Sequence, residues 1–457
     1  MPQSPQAAIA ANRYGLGARP GDLARIAPDP RGWLRGQLAG AAPQIAAAGL
    51  RDSADILAEA GRLRREKQQK GGLVKFYRPL YLQEAVARLH FAATTDRPFI
   101  ERLTQFWTNH FAVSIDKLAV LGVAGAFERE AIRPNVLGRF ADLLLAVEQH
   151  PAMLLYLDNF TSAGESSPLA LRVRRRRPEN PPGINENLAR EILELHTLGV
   201  DGGYSQADVT AFARVLTGWS IGGGKGRLAS GEPGRFLFRP ELHQPGVQEV
   251  LGQRHAQAGV DQGEAVLHAL ARHPATARHL ATQLARHFIA DDPPAAAVER
   301  ISRAFEASGG ELRTVYQALI DSPESWETPL AKFKTPSDYI VSAYRGLGLP
   351  AGDGGNGRDR AALAPFELLG QRTYSPGSPA GWPDRSADWD GASAVLQRVE
   401  WADALGERLG SLRDARALAP QLLGGTLGTA TAAAIGRAAT AAQALTLLLA
   451  SPEFMRR

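Results

Sequence analysis

Residues 185–219 carry the pattern that most restricts the fold of this chain, because they read as two successive helices with their own start and stop signals. Asn185 is of a residue type that caps helix N-termini, and Gly199 stands where a left-handed residue can end the first helix. Ser205 and Asp208 have the spacing of a capping box that starts the second helix. The apolar residues of that second helix share one face, and they are Val209, Phe212, Ala213, Leu216 and Trp219.

The first of these helices has two faces of different character. Its apolar arc contains Leu188, Ala189, Ile192, Leu193, Leu195 and also His196, and the opposite face contains Glu186, Asn187, Arg190, Glu191 and Glu194. One interpretation of the polar face is a solvated surface on which side chains four residues apart form ion pairs. The other is a stripe that faces a cleft, with Glu191 and Glu194 available for acid–base catalysis or metal ligation and Arg190 holding one of them ionised.

Composition indicates that helix extends over most of the chain. Alanine, arginine and leucine, which favour helix, are used heavily. At 457 residues the chain exceeds a single ordinary core. The sequence therefore predicts a mainly α fold, either one large multi-helix domain or two helical subdomains, with a few short strands or hairpins near residues 236–251. We expect residues 1–349 to form a helical core with an N-terminal cap and the central site helices, and residues 350–457 to add a C-terminal aromatic loop and helices packed on the same core.

Charge and residue usage argue against several classes of protein. The formal net charge of +5 is small for this length, so we do not expect a nucleic-acid partner, and the basic run at residues 172–177 is predicted to be an exposed loop. The absence of cysteine excludes disulfides and thiolate chemistry. No apolar run approaches the ~20 residues that span a bilayer. The N-terminus lacks the pattern of a signal peptide, so we expect a soluble cytoplasmic protein unless an exported partner carries it.

Three histidines and one aspartate are candidate site residues. His110 lies on the apolar face of a helix predicted to start near Asp96, where a histidine usually packs in the core and bonds a carbonyl group. If the faces that carry His110 and His196 meet, the two could form a ligand pair or an acid–base unit. His243 follows a weakly alternating segment and is expected to be exposed. Asp158 ends an apolar segment, either as a turn residue or as a carboxylate of the site.

The C-terminal part of the chain contains a loop rich in aromatic and turn residues at 370–389. Gln371 and Trp382 lie in this loop. Aromatic residues on a loop beside a helical scaffold can line a binding cleft, and they can equally cover the edge of a core.

Several stretches of the chain match the pattern of a known family. They are Phe106-Trp107-Thr-Asn109-His110-Phe111, Pro151-Ala-Met-Leu-Leu-Tyr-Leu-Asp158, the run from Asn185 to Gly199 with its extension Tyr204-Ser-Gln-Ala-Asp208-Val, Gly370-Gln371, Gly381-Trp382 and Ser451-Pro-Glu-Phe. On these residues the chain resembles, over nearly its whole length, a bacterial family catalogued as domain of unknown function 1800. The family's His-Asp-x-Gly-x-Lys phrase appears here as His243-Gln244-Pro-Gly246-Val-Gln248, without the acid and the base. The resemblance also implies an association with an exported protein of alkaline-phosphatase-like type.

Three hypotheses for function follow from these residues. The first is a hydrolase acting on a glycan or similar polymer, with Glu191 as general acid and Asp158 or Glu194 as base or nucleophile. Its catalytic set also contains Arg190 and His196, and its substrate-binding set contains Asn187, Trp107, Trp219, His243, Gln371 and Trp382. The second is a metal-dependent enzyme or metal-binding protein, in which His110 and His196, with the central carboxylates, hold a divalent metal. The third is a non-catalytic helical scaffold or escort for an exported partner.

Overall fold

Helices dominate the fold, which confirms the prediction of a mainly α protein with a few short strands. The computed structural model of the chain describes residues 5–66, 70–176, 182–224, 229–350 and 358–457. Within these ranges, no helix has the length and apolar character needed to cross a membrane.

The first helices of the chain begin at side-chain caps or at proline. The Asp29 side chain accepts a hydrogen bond from the backbone of Gly32 at the start of one helix. Pro98 occupies the first turn of another, where backbone N–H groups have no partner within the helix, so the missing N–H of proline costs no hydrogen bond. The helices are α1 (Pro5–Ile9), α2 (Asp22–Ile26), α3 (Pro30–Gln37), α4 (Ser53–Arg65), α5 (Lys70–Thr94), α6 (Pro98–His110) and α7 (Ala124–Phe127). Two π-helical segments, Ala10–Tyr14 and Glu128–Ile132, continue α1 and α7 directly.

The predicted helix pair at 185–219 is present, with one difference in its first member. Asn185 accepts a hydrogen bond from the backbone of Asn187, and Gly199 has a left-handed φ of 87°. The first helix starts as an α-helix and widens to a π-helix at Ile192–His196. The capping box of Ser205 and Asp208 is confirmed. The α-helices of this region are α8 (Phe140–Glu148), α9 (Pro151–Tyr156), α10 (Pro168–Arg176), α11 (Asn187–Glu191) and α12 (Gln206–Val215).

The basic run at 172–177 is not a loop, which corrects the prediction. Its residues up to Arg176 form the last turns of α10, and Arg177 lies outside the described residues. The starting proline, Pro168, suits the first turn of a helix, and a helix of this length can display several arginines to solvent. The error came from reading the flanking prolines as the ends of a loop.

Short strands form two separate antiparallel pairs after α12. In the first pair, Trp219 lies opposite Phe238, and in the second, Gln248 lies opposite His255. The strands are β1 (Trp219–Ile221), β2 (Phe236–Phe238), β3 (Gln248–Val250) and β4 (Gln253–His255). The predicted range near 236–251 contains β2 and β3, whereas β4 follows it directly and β1 lies earlier in the chain, where no strand was predicted.

The remaining helices complete the core and bring the end of the chain back to its centre. They are α13 (Val260–Ala271), α14 (Pro274–Phe288), α15 (Ala295–Ser308), α16 (Leu312–Asp321), α17 (Pro336–Leu347), α18 (Arg358–Leu368), α19 (Ala392–Leu409), α20 (Ala415–Leu423), α21 (Thr429–Arg437) and α22 (Ala441–Leu449). The backbone of Arg457 exchanges two hydrogen bonds with Lys332, at 2.8 and 3.2 Å. These bonds place the Arg457 side chain in the interior, where it is completely buried.

Aromatic side chains from distant parts of the chain meet in one hydrophobic core. The ring of Tyr14 lies 5.5 Å from that of Phe99, 5.8 Å from Phe288 and 5.4 Å from Trp326. Burying each such side chain contributes roughly 1.5–3 kcal/mol. The same core contains residues of both predicted units, 1–349 and 350–457. The division at residue 350 stays a prediction, and residues 351–357 lie outside the described part of the chain.

Candidate functional site

A cavity of about 390 Å³ lies between elements of the helical core, and we call it the central pocket. Its walls come mainly from α6, the last turns of α14, the start of α17 and the loop at 371–388, with single residues or pairs from α5, α7, α18 and the π-helix at 192–196. Polar and aromatic side chains share its lining. Of the residues predicted from sequence, the central pocket brings together His110, Gln371 and Trp382.

Asn109, at the end of α6, fixes one side of the loop. Its side-chain Nδ2 donates to the Trp382 carbonyl at 2.9 Å, and its Oδ1 accepts from the Trp382 backbone at 2.8 Å. The preceding Gly381 has a φ of 78°, and a Cβ there would lie 2.4 Å from the Asn109 carbonyl oxygen. Only glycine therefore allows this close approach, which orients Trp382 toward the central pocket.

Gln371 fixes the other side of the same loop. Its Oε1 accepts a hydrogen bond of 2.7 Å from the backbone of Ser337, in the first turn of α17. The Tyr374 carbonyl accepts from the backbone of Ile115 at 2.9 Å. These bonds tie the loop to the start of α17 and to the turn that follows α6, so neighbouring elements hold the side chains of the central pocket.

His287 and Asp384 form a hydrogen-bonded pair in the floor of the central pocket. His287 Nδ1 lies 3.2 Å from Asp384 Oδ2. Burial alone would raise the pKa of Asp384, but His287, Arg457 and Lys332 outweigh it and hold that pKa well below its ordinary value. Because an ionised carboxylate can only accept, Nδ1 carries the proton of this bond. Burial, opposed by Asp384, lowers the pKa of His287 from 6.5 to about 4, so the imidazole is neutral near pH 7.

Arg102 and Asp338 form a second pair in the floor. Arg102 Nη1 lies 3.0 Å from Asp338 Oδ1, and its Nε donates to the Gly15 carbonyl at 2.6 Å. On the other oxygen, Asp338 Oδ2 lies 2.8 Å from Arg457 Nε. Burial would raise the pKa of Asp338, but the two arginines hold it well below its ordinary value. Burial lowers the pKa of Arg102 to about 10, which leaves it a cation at neutral pH.

Two buried nitrogens of the floor have no hydrogen-bond partner among the described residues. They are Nε2 of His287 and Nη2 of Arg102. Since Nδ1 holds the proton of neutral His287, its Nε2 is an acceptor, whereas Nη2 of Arg102 is a donor. Buried polar atoms are normally paired, because an unpaired one costs about 1–3 kcal/mol. An acceptor and a donor left open in the lining of one cavity are the features that a polar ligand would satisfy.

Three histidines surround the end of the π-helix at 192–196. His110 Nε2 lies 3.1 Å from the His196 carbonyl, and His279 Nε2 lies 3.2 Å from the Leu195 carbonyl. His196 is completely buried, with its Nδ1 2.8 Å from Glu148 Oε1. The rings of His110 and His196 are 6.2 Å apart, as the hypothesis of a ligand pair requires. However, these contacts use one nitrogen of each ring, and the described residues contain no group of three or more histidine or acidic side chains placed to hold a metal.

The predicted carboxylates lie outside the central pocket. Asp158 is an exposed turn residue with a φ of 58°, and its carboxylate pairs with Lys117 at 2.6 Å. Glu194 accepts a bond of 3.4 Å from the Tyr204 hydroxyl. Glu191 is half-buried and forms no hydrogen bond or ion pair with a described residue, and burial raises its pKa. None of the three is part of the cavity lining.

The polar residues expected to orient those carboxylates have other contacts. Arg190 Nη2 lies 3.0 Å from Glu186 Oε2 and 2.9 Å from Gln206 Oε1, so it bonds neither Glu191 nor Glu194. Burial raises the pKa of Glu191 and outweighs the charge of Arg190, which lowers it. Gln206 is in the first turn of α12, and its contact with Arg190 therefore joins α11 to α12. Asn187 is exposed on the same surface.

Three other predicted substrate-binding residues also have structural roles. Trp107 and Trp219 are completely buried, so neither can stack on a substrate, which corrects both predictions. Trp107 Nε1 donates to the Tyr316 hydroxyl at 2.6 Å. His243 was expected to be exposed, but it is half-buried, with Nδ1 2.9 Å from the Thr217 carbonyl. It does not contribute to the lining of the central pocket.

Four residues of the floor were missed by the sequence analysis, namely Arg102, His287, Asp338 and Asp384. His287 was not among the three histidines that the sequence analysis singled out. Its partner stands 97 positions further along the chain, so their spacing carried no signal. A weak signal was present at 384, because a charged residue inside an aromatic loop is a candidate for a site.

A family model described as "Protein of unknown function (DUF1800)" matches residues 9–456, which is nearly the whole chain. The match includes every residue of the central pocket named above and confirms the resemblance seen in the sequence. No curated protein and no solved structure matches the chain.

Proposed function

Since this chain belongs to the DUF1800 family, we propose its function from the geometry of its own central pocket: it is a hydrolase acting on a glycan or similar polymer. The observation that carries the proposal is the pair of His287 and Asp384. The bond at His287 Nδ1 fixes the tautomer of the imidazole. Nε2 of the same ring, on a side chain that lines the cavity, is a buried acceptor without a partner among the described residues. A histidine oriented in this way by a carboxylate is a recurrent general base of hydrolytic enzymes.

The chemistry requires water as the second reactant. His287 Nε2 would take one proton from a water molecule, while the water oxygen forms the new bond to the substrate atom that is attacked. The bond to the leaving oxygen breaks, and that oxygen takes up the proton from the imidazolium. Asp384 would act as a positioning residue, since its carboxylate orients the ring and favours its protonated state. Lys332 and Arg457 keep that carboxylate ionised.

The walls of the central pocket suit a substrate with hydroxyl groups and apolar faces. Trp382 offers a partly exposed ring against which a sugar face can pack. Gln371 uses its Oε1 on Ser337, and its Nε2 makes no hydrogen bond to a described residue, so this amide can donate to a hydroxyl group. Two other residues of the same lining offer a donor, Nη2 of Arg102, and an acceptor, Nε2 of His287.

The proposal is tested by comparing His287→Gln with Glu191→Gln on a panel of purified glycans. We expect His287→Gln to lower kcat by about 10²–10⁴-fold, the usual contribution of a general base. Glu191→Gln, which changes a half-buried carboxyl outside the central pocket, is expected to retain activity. The measurement is the release of new chain ends or soluble products, with circular dichroism and Tm of each variant to show that it folds.

The pH profile gives a second readout of the same proposal. With His287 as base, kcat/KM should fall only as the pH drops toward the His287 pKa of about 4. If Glu191 acted as general acid, activity would instead be lost as the pH rises through its raised pKa. Loss of activity in Glu191→Gln, together with full activity in His287→Gln, would refute the assignment and return the site to α11.

A non-catalytic scaffold is the second candidate, and the network between α11 and α12 favours it. Glu186 accepts bonds from Arg190, Gln206 and Thr210, and it thereby locks the two helices together. Such a network can specify packing without taking part in a reaction. Binding of a glycan, or of an exported alkaline-phosphatase-like partner, without any product from the whole panel would support this candidate over the hydrolase.

A further inference from the structure

A second cavity, of about 340 Å³, adjoins the central pocket. The two cavities share Phe366 and, on the adjoining loop, Arg372 and Thr373. The second cavity lies between α5 and α18, and its other lining residues include Tyr81, Arg78 and Arg360. The two cavities are therefore neighbours on the two sides of the shared residues, and we call them together the groove.

Several arginines of the groove form no ion pair with a described carboxylate, or only a long one. Arg78 and Arg360 are exposed and form no ion pair or hydrogen bond with any residue that the structure describes. Arg286, in the central pocket, bonds only the Asp291 carbonyl and the Gln283 amide oxygen. Arg372 lies over the Tyr81 ring and is 4.0 Å from the exposed Glu367. Positive charge therefore continues along the whole groove.

The carboxylates of the groove do not cancel this charge. Asp338 lies between Arg102 and Arg457, and Asp384 between Arg457 and Lys332, so both are matched by buried cations. Two exposed carboxylates, Glu367 and Asp388, also line the groove, but Arg78, Arg286, Arg360 and Arg372 outnumber them, so a surplus of positive charge remains nearer the surface. A concave surface with a surplus of one charge attracts ligands of the opposite charge along its length.

The open acceptor of the floor distinguishes between polyanions. The His287 Nε2 atom requires a hydrogen-bond donor on the ligand. Sugar hydroxyl groups provide such a donor, whereas the deoxyribose-phosphate backbone of DNA provides none. Trp382 supplies an apolar surface for a sugar ring at the same level.

We propose that the groove binds an acidic glycan chain, with one sugar in the central pocket and the anionic sugars that follow it lying along Arg372, Arg78 and Arg360. This inference rests on the proposed function, because it names the substrate class of the same site. The second cavity acts as a set of subsites that hold the polymer while the bond in the central pocket is broken.

The test measures binding of a hexamer and a dimer of galacturonic acid, and of a neutral hexamer of galactose, by calorimetry. The protein is the full chain carrying His287→Gln, so that no substrate is consumed. We expect the acidic hexamer to bind at least about tenfold more tightly than the acidic dimer and the neutral hexamer, and its affinity to fall with added salt.

Substitutions in the second cavity then locate the effect. Arg78→Ser with Arg360→Ser should weaken binding of the acidic hexamer by about tenfold, the combined effect of two exposed ionic contacts, and should leave the acidic dimer unchanged. The matched control is Arg303→Ser with Arg437→Ser, which removes the same charge from exposed positions outside both cavities.

Each outcome decides between the two proposals. Equal binding of acidic and neutral hexamers, or equal weakening by the control pair, would overturn the acidic-glycan inference and leave the hydrolase intact. Tighter binding of a single-stranded oligonucleotide than of the acidic hexamer would also overturn it. Binding could also be selective for the acidic hexamer and depend on Arg78 and Arg360 while the unsubstituted chain releases no product. That result would support the acidic-glycan inference and refute the hydrolase.

Discussion

Acid should destabilise this protein through His287, and the size of the effect follows from the floor of the central pocket. Burial next to Phe106 and Phe288 lowers the pKa of His287 from 6.5 to about 4 in the folded chain. Between these two pH values the unfolded chain binds a proton at this position and the folded chain does not. The contribution of neutral His287 to the free energy of unfolding is therefore fully present above pH 6.5, and it is lost as the pH falls toward 4.

The magnitude follows from the two pKa values. A difference from 6.5 to about 4 corresponds to about 3 kcal/mol, with a maximum slope of ~1.4 kcal/mol per pH unit. The assay is urea unfolding at closely spaced pH values from 7.5 to about 4, within the range in which the transition stays two-state. We expect the unfolding free energy of the unsubstituted protein to fall by about this amount more than that of His287→Gln over the same range.

Comparing the change with pH within each variant removes any constant cost of the substitution. The control is His90→Gln, which replaces an exposed histidine of α5 and should follow the curve of the unsubstituted protein. Parallel curves for the unsubstituted protein and His287→Gln would show that His287 titrates normally. The electrostatic argument for a neutral base in the central pocket would then be refuted.

Two further substitutions test the packing that supports the site. Arg133→Met removes the partner of two completely buried carboxylates, Glu101 and Glu128, and should cost about 3–5 kcal/mol in urea unfolding. Arg303→Met, which removes an exposed cation, should cost less than ~1 kcal/mol, and equal losses would contradict the role of burial. Gly263→Ala would place a Cβ 2.5 Å from the buried Trp219 ring and should lower Tm. Gly36→Ala, with open space around it in α3, should instead raise the free energy of unfolding by up to about 1 kcal/mol. A Tm of Gly263→Ala at or above that of the unsubstituted protein would show that the Trp219 ring can move to accommodate the added methyl group.

The helices were predictable because their signals are local. Ser205 and Asp208 are three residues apart, and Gly199 must supply a left-handed turn, so a few neighbouring residues determine each boundary. The start of α6 at Pro98 is of the same kind. The π-helical turn at 192–196 was not predictable from this pattern. It widens the helix without changing its apolar face, and tertiary contacts from His110 and His279 bond its last carbonyls.

The floor of the central pocket was not predictable, because its residues meet only in the folded chain. His287 is 97 positions from Asp384, and Arg457 is 170 positions from His287, whose carbonyl oxygen it also bonds. The central helix pair offered a compact group of carboxylates, but Glu191 and Glu194 lie on a surface beside the cavity rather than within it. Periodicity places side chains on a face of a helix and does not say which face meets a cavity.

Comparison of two buried charge clusters in the same chain separates a structural network from a site. In the first, Arg133 donates to Glu101 and Glu128 at 2.6, 2.8 and 2.7 Å, and none of these three side chains has an unpaired buried atom. In the second, the floor of the central pocket, Arg102 and His287 each keep a buried nitrogen without a partner.

A buried charge costs free energy unless its partners are complete, so the first cluster can be explained by packing alone. The second is not explained in the same way, because its partners are incomplete: a network that gave only stability would gain if all of its charged members were replaced together by apolar side chains of similar size. Other buried atoms of the described residues also lack a partner, Nε2 of His196 among them, but Arg102 and His287 line a cavity, in which a ligand can complete their bonds. This reasoning places the function of the chain in the central pocket rather than on the polar face of α11.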